Sequence, residues 1–227
     1  MLLLTGVFVA LGVWQVQRLF WKLDLIERTE SRIHADPVTP PPASEWPAIN
    51  AADHEYRRVA ARGTFLNDRE TLVQAVTELG AGFWVVTPLR LADGSAILVN
   101  RGFVPGDRRD PAARMQGQAE GPVNVVGLLR MSEPGGGFLR ANDPAGGRWY
   151  SRDVEAIAAA RGLANVAPYF VDADATPNPG GFPVGGLTVV HFRNSHLAYA
   201  FTWFALAAMS AAAAIYVGRA GRPIRNA

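Results

Sequence analysis

From Leu197 to Gly218 the chain reads LAYAFTWFALAAMSAAAAIYVG, 22 residues without a charge. As a helix this stretch would reach about 33 Å, the thickness of a bilayer's hydrocarbon core. A helix of that length in a soluble core would carry a polar face, and this one has none, so it predicts a membrane span. Tyr199 and Trp203 near one end and Tyr216 near the other suit the two interfacial belts. Arg219, Arg222 and Arg225 follow with no acidic residue, and the positive-inside bias places that tail in the cytoplasm.

The other end is less clean. The uncharged stretch runs from Met1 to Gln17, but its strongly apolar part, Leu2 to Trp14, is only 13 residues. Two readings compete. A secretory signal would use Ala10-Leu11-Gly12 as a small-x-small cleavage site, yet no Lys or Arg precedes the apolar run. A helix continuing through Trp21 instead spans about 31 Å, with Gln15, Gln17 and Arg18 near an interface, and this anchor is the expected arrangement.

Two spans predict segments 1–21 (first span), 22–43 (amphipathic helix and Pro-rich linker), 44–195 (an extramembrane domain), 196–218 (second span) and 219–227 (cytoplasmic tail). Both termini then lie in the cytoplasm and the domain outside it, which in a bacterial inner membrane is the periplasm. Composition agrees: 49% of residues are apolar and 19% charged, against roughly 25% charged in soluble domains. A net charge of +2 with scattered basic residues defines no stripe for phosphate backbones, so no nucleic-acid partner is expected. The absence of cysteine excludes disulfides, thiolate metal sites, thiol nucleophiles and covalent haem attachment, and four Met are few for a copper carrier.

The domain reads as β-rich. After the prolines Pro37, Pro40, Pro41 and Pro42, short Val/Ile/Phe/Thr runs alternate with turn residues, beginning at Arg58–Phe65 and Glu70–Ala75. Phe83–Leu91 and Ala96–Phe103 flank Asp93-Gly94, which predicts a two-residue hairpin turn. Val123–Arg130, Tyr169–Asp172 and Leu187–Phe192 read as further strands, Gly135–Gly137 as a loop, and Asp153–Ala160 as a helix capped by Ser151 or Asp153 and stopped at Gly162. The expected fold is an α+β membrane protein: N- and C-terminal transmembrane helices flanking a small antiparallel barrel or sandwich with one helix.

Within the domain no residue pattern announces catalysis. His34, His54 and His191 have no metal-ligand partner at helical or hairpin spacing, no G-x-S-x-G occurs, and the paired glycines 180–181 and 185–186 open no helix. Asp172 and Asp174 read as a solvated turn rather than an acid–base pair. At the membrane boundary, His196, Tyr199 and Trp203 recur at i, i+3 and i+7, and Trp14, Arg18 and Trp21 at i, i+4 and i+7. The topology puts both triplets at the outer ends of their helices, at similar depth. An imidazole for iron, an arginine for propionates and aromatic rings for a macrocycle suit a haem. The same residues also suit an interfacial belt with a snorkelling arginine, and spacing alone leaves both readings open.

Several strings, in order, resemble the surfeit locus protein one family. They are Leu11 to Arg18 with Trp21-Lys22; Tyr56-Arg57; Gly63-Thr64-Phe65; Val85 to Leu89; Ile97 to Pro105; Gly117-Gln118; Glu120-Gly121; Asn142-Asp143-Pro144; Trp149-Tyr150; Gly185-Gly186; Arg193 to Leu197; and Tyr199, Thr202 and Trp203. The resemblance covers nearly the whole chain. It implies a two-span cytochrome c oxidase assembly factor, not an enzyme, that binds haem a and assists its insertion into oxidase subunit I. The histidine at the start of the second span, here His196, would be the axial ligand, with Tyr199, Trp203, Trp14 and Arg18 around the macrocycle. Haem a would be held transiently and without covalent attachment, at bilayer depth among membrane lipid, since its isoprenoid tail must stay there. Asn100, Arg101 and Gly102 form a distinctive segment that could dock on subunit I or on the haem a synthase, or could simply fix a turn. The alternative function is a scaffold that stabilises an oxidase assembly intermediate and never touches haem.

Overall fold

The computed structural model describes residues 2–220 except His191 and Arg193. Arg222 and Arg225 of the basic tail, and part of the strand expected over Leu187–Phe192, lie outside the described residues; Leu187 to Val190 have no regular structure. Two compact units form, one from residues 1–30 with 190–227 and one from residues 31–189.

The first unit holds α1 (Leu2–His34) as far as Glu30 and the last helix (His196–Ala220), both helices long and apolar enough to cross a membrane. The first span and the amphipathic segment after it form one helix, α1, because Leu23, Leu25 and Ile26 continue it between charged residues with no Gly or Pro to stop it.

The second unit begins with the proline segment, which is no free linker. Pro40 and Pro41 are buried, and Val38 pairs with Val59: its N–H donates to Arg58 O at 3.1 Å, and its carbonyl accepts from Ala60 N at 2.9 Å. After the short helix α2 (Ala51–His54) come β1 (Arg58–Phe65), β2 (Thr71–Thr77), β3 (Gly80–Leu91), β4 (Ala96–Pro105) and β5 (Pro122–Met131). The two-residue strands β6 (Gly136–Gly137) and β7 (Arg140–Ala141) occupy the glycine-rich stretch expected as a loop. Then follow α3 (Val154–Ala160) and β8 (Val166–Ala173), and in the first unit α4 (His196–Ala220).

The strands order as β1-β5-β8-β4-β3-β2, and β1 also pairs with β3. Five strands thus close into a barrel, with β2 lying along the other half of β3's free edge. Closure is made by Gly63, Thr64 and Phe65 opposite Leu91, Arg90 and Leu89. Gly63 permits it, since a Cβ there would lie 2.4 Å from Arg90 O. All pairings in this sheet are antiparallel except β4 with β8. The barrel interior holds Val59, Leu89, Ile97, Val99, Leu129, Tyr169 and Val171. A second cluster, Val73, Val86, Leu98, Trp149 and Phe170, lies outside the wall under Ile157 of α3. Closing the sheet leaves fewer exposed edges and satisfies the strands' backbone groups.

Local turn chemistry differs in one detail from expectation. The β3–β4 loop has three residues, Ala92-Asp93-Gly94, with Leu91 N donating to Ser95 O and Gly94 N to Leu91 O. Gly94 takes φ +82°, the left-handed residue that such a loop needs. Asp93 binds Ser95 N at 2.9 Å and thereby fixes the turn. Asp153 caps α3 through Ala156 N, and Gly162 ends it at φ +60°.

Arg152 ties the loop before α3 to Glu133, with Nε to Oε2 at 3.0 Å and Nη2 to Oε1 at 2.6 Å. Burial pushes the Glu133 carboxyl up, but the Arg152 hydrogen bonds and charge outweigh it and leave the pKa below its usual 4.5. A depressed carboxylate contributes stability that is present above its unfolded pKa and lost as pH falls through the lower folded value. Urea titrations should therefore show the unfolding midpoint falling below about pH 4.5, and falling less steeply in Glu133→Gln. Parallel pH profiles for the two proteins would contradict this.

Candidate functional site

The helix pair is built on a repeat of three and four. Along α1, Thr5, Phe8, Gly12 and Gln15 share one face; along α4, His196, Ala200, Trp203, Ala207 and Ser210 share another. These faces meet. Thr5 Oγ1 donates to Ser210 Oγ at 3.0 Å, the Phe8 and Trp203 rings stack at 5.8 Å, and Gln15 Oε1 lies 2.7 Å from His196 Nδ1. The first and last contacts run in opposite directions along the two helices, so the pair is antiparallel. Gly12, Gln15, Ala200 and Ala207 are buried in this seam. Small residues and polar contacts hold helices together in lipid, where burial of apolar surface does not.

Gly12 sets the spacing at the functional end: a Cβ there would meet the Phe204 ring at 2.7 Å. Gly12→Ile should push the helices apart, destabilise the pair by about 1–3 kcal/mol and break the Gln15–His196 contact. The measurement is distance between labels on the two helices; an unchanged distance with an intact Gln15–His196 contact would contradict it.

Gln15 Oε1 is placed to accept from His196 Nδ1, the arrangement that selects the Nδ1–H tautomer of the ring. In that tautomer Nε2 carries the lone pair, and no hydrogen bond occupies it among the described residues. A second group that fixes ring orientation and tautomer is how proteins present an imidazole to a metal. Gln15 lies in the sequence as one polar residue of an apolar span. Its 3-4 spacing with Thr5, Phe8 and Gly12 was the signal that could have placed it in the seam.

The other sequence-derived residues divide. Trp203 packs against Phe8 inside the pair. Trp14 and Tyr199 are 53% and 56% exposed, and Arg18 extends to lie 4.0 Å over the ring of Trp21. At 100° per residue Tyr199 sits about 60°, Arg18 about 100° and Trp14 about 140° off the mean seam of their helices, all to the same side. Trp14 and Tyr199 are within about 3 Å of one another in level along the pair. Trp14 thus points largely away from α4, and among the described residues no hydrogen bond or ring contact joins Trp14, Arg18 or Tyr199 to the His196 ring. Among the described residues no cluster of three metal-ligating side chains exists.

A family model described as SURF1 family matches residues 2–208. The chain belongs to the SURF1 family. Surfeit locus protein 1 of Homo sapiens is 40% identical over 225 residues, covering 92% of this chain and 73% of the human protein. The Rattus norvegicus protein of the same name is 42% identical over 214 residues, covering 87% and 68%. The SURF1-like protein of Monosiga brevicollis is 40% identical over 228 residues, covering 93% and 83%.

The extramembrane domain of this SURF1-family chain turns Asn100, Arg101 and Gly102 inward. Asn100 is 4% and Arg101 2% exposed, and Gly102, at φ +131°, passes so close to Val184 that a Cβ would lie 2.1 Å from its carbonyl oxygen. The side chains of Asn100 and Arg101 are thus spent on contacts within the domain, although Asn100 also borders an open pocket. Asn100 Nδ2 donates to Asp172 Oδ1 at 2.7 Å, and Arg101 donates to Gly117 O and lies 4.5 Å over Phe65. Burial pulls the Arg101 guanidinium down to about 10, with the nearby Glu70 charge opposing that shift.

Asp172 is also unlike a solvated turn. It is 3% exposed, and four donors converge on it: Asn100, Arg152 Nη1 at 3.0 Å, Arg130 Nη1 at 2.9 Å and Thr188 Oγ1 at 3.1 Å. These groups line a pocket of about 360 Å³ with Trp84. Its two arginines are already matched by Glu55, Glu133 and Asp172, so the cluster joins β4, β5, β8 and the α3 loop and has no charge left for an anionic ligand.

Proposed function

We propose that this chain is a haem a chaperone for cytochrome c oxidase biogenesis, holding haem a at the His196 end of the helix pair and assisting its insertion into subunit I. The single observation that carries the proposal is the Gln15–His196 contact, which orients the imidazole and, in the Nδ1–H tautomer, leaves the Nε2 lone pair open to a metal. His196 would hold haem a through its imidazole, and the bound group would supply an iron centre with affinity for that nitrogen. Every other part is played by this chain's side chains. Trp14 and Tyr199 offer apolar ring surface, Arg18 can leave Trp21 to meet a propionate, and the lipid-facing flank keeps an isoprenoid tail in the membrane. One neutral protein ligand and no thiol make the binding reversible, as delivery requires.

In this reading the chain is a carrier rather than an enzyme, and it sits in a bacterial inner membrane. The domain faces the periplasm and both termini the cytoplasm, in accord with Arg219 at the end of α4 and the basic residues beyond it. Its partners are subunit I and the haem a synthase. The test is purification after co-expression with haem a synthesis: haem a should accompany the wild type in a near one-to-one ratio. A haem-free wild type that still co-purifies with subunit I would overturn the carrier reading and leave a scaffold.

A further inference from the structure

The β6–β7 hairpin ends in a two-residue tip, Phe138-Leu139, between the paired residues Gly137 and Arg140. These two side chains are 92% and 88% exposed, the most exposed large apolar pair in the domain. Leu139 takes φ +57°, a left-handed backbone that favours Gly or Asn, so the turn itself gains nothing from a leucine there. Beside the tip, at the end of β2 and the β2–β3 turn, Val76 is 86% and Leu79 51% exposed. Val76 and Phe138 line one shallow cavity of about 520 Å³ with Phe83, Tyr150 and Arg140.

Two cations border this surface, and neither has a carboxylate partner among the described residues. Arg140 reaches Gln74 Oε1 at 3.4 Å and lies 5.5 Å over Tyr150; Arg109 lies 5.1 Å over Phe83. No acidic residue lines the cavity. Apolar side chains on a protruding tip, with aromatic rings and arginines just behind them, match the cross-section of a bilayer's edge, where acyl chains lie under ring-sized interfacial groups and anionic phosphates. At both ends of its sequence the domain leads into helices long and apolar enough to cross a membrane, which would keep it in the water layer beside a bilayer. We propose that the Phe138-Leu139 tip inserts into the phospholipid interface, with Arg140 and Arg109 meeting anionic headgroups, and so adds a third membrane contact to the two spans. This inference does not rest on the haem reading: the surface lies wholly in the extramembrane unit.

The chain has no cysteine, so a single introduced one carries a spin label uniquely. Phe138→Cys, Leu139→Cys and, as an exposed control, Glu120→Cys would be labelled in the full chain and placed in nanodiscs of phosphatidylcholine with or without phosphatidylglycerol. At 138 and 139 the label should be reached by dissolved oxygen in preference to a water-soluble nickel chelate, more so with phosphatidylglycerol, whereas at 120 the preference reverses. Arg140→Ser with Arg109→Ser should remove the gain from phosphatidylglycerol. Labels at 138 and 139 as accessible to the chelate as that at 120, in both lipids, would overturn the proposal. So would immobilisation that appears only when a second copy or subunit I is added, since that would mark a protein interface.

Discussion

Replacing Asp172 with alanine is expected to lower the stability of the extramembrane domain by about 3–5 kcal/mol, because it leaves two largely buried guanidinium groups short of a carboxylate. Arg130 would keep Glu55 and Arg152 would keep Glu133, yet Asn100 Nδ2 and Thr188 Oγ1 would also lose their acceptor. For a domain of this size the loss corresponds to a melting midpoint lower by roughly 10 °C. Thermal unfolding of the purified full chain, followed by near-ultraviolet circular dichroism, reads it directly. A midpoint within a degree or two of wild type would mean that the cluster is not the tie between β4, β5, β8 and the α3 loop described above.

A comparable loss is expected for Glu70→Ala. Glu70 binds Arg114 through both carboxylate oxygens, with side chains 6% and 1% exposed. It is also the anion whose charge opposes the desolvation of Arg101. Without it, two buried cations share one region with only carbonyl and amide acceptors, a loss again of about 3–5 kcal/mol. Glu70→Gln keeps the shape and should fall in between. Exchanging the charges away altogether, in Glu70→Leu with Arg114→Met, should recover much of the loss, because no unpaired Arg114 is left and Arg101 loses a neighbouring like charge together with the opposite one. Guanidinium titrations with unchanged slope would separate these energies from any change in unfolded-state compactness.

How far the sequence alone carries follows from range. Elements specified by neighbours were legible: the β3–β4 hairpin from alternation around Asp93-Gly94, α3 from its Asp153 cap, and both spans from their uncharged length. What depends on contacts far along the chain was not. Asp172 reads locally as a polar turn residue, and only the parallel pairing of β8 with β4 brings it to Asn100. Arg101 looks like an exposed strand residue until the segments around Gly117 and Asn178 cover it. The barrel closes through three residue pairs between β1 and β3 that no local pattern announces.

At the helix pair the candidate residues were found but not their partners. His196, Trp14, Arg18 and Tyr199 stand out by residue type at a membrane boundary. Gln15 and Gly12 stand out only when the 3-4 repeats of both helices are laid against each other. That comparison separates Trp203, which packs on Phe8, from the residues left on the open flank.

The most direct test of the account is the haem a content per chain in wild type, in His196→Gly, and in His196→Gly supplied with free imidazole. Each protein would be purified from cells making haem a. The account predicts close to one haem in the wild type, almost none in the glycine variant, and recovery with imidazole filling the space the side chain left. A wild type without haem, or a glycine variant that keeps its haem with an unaltered spectrum, would contradict it.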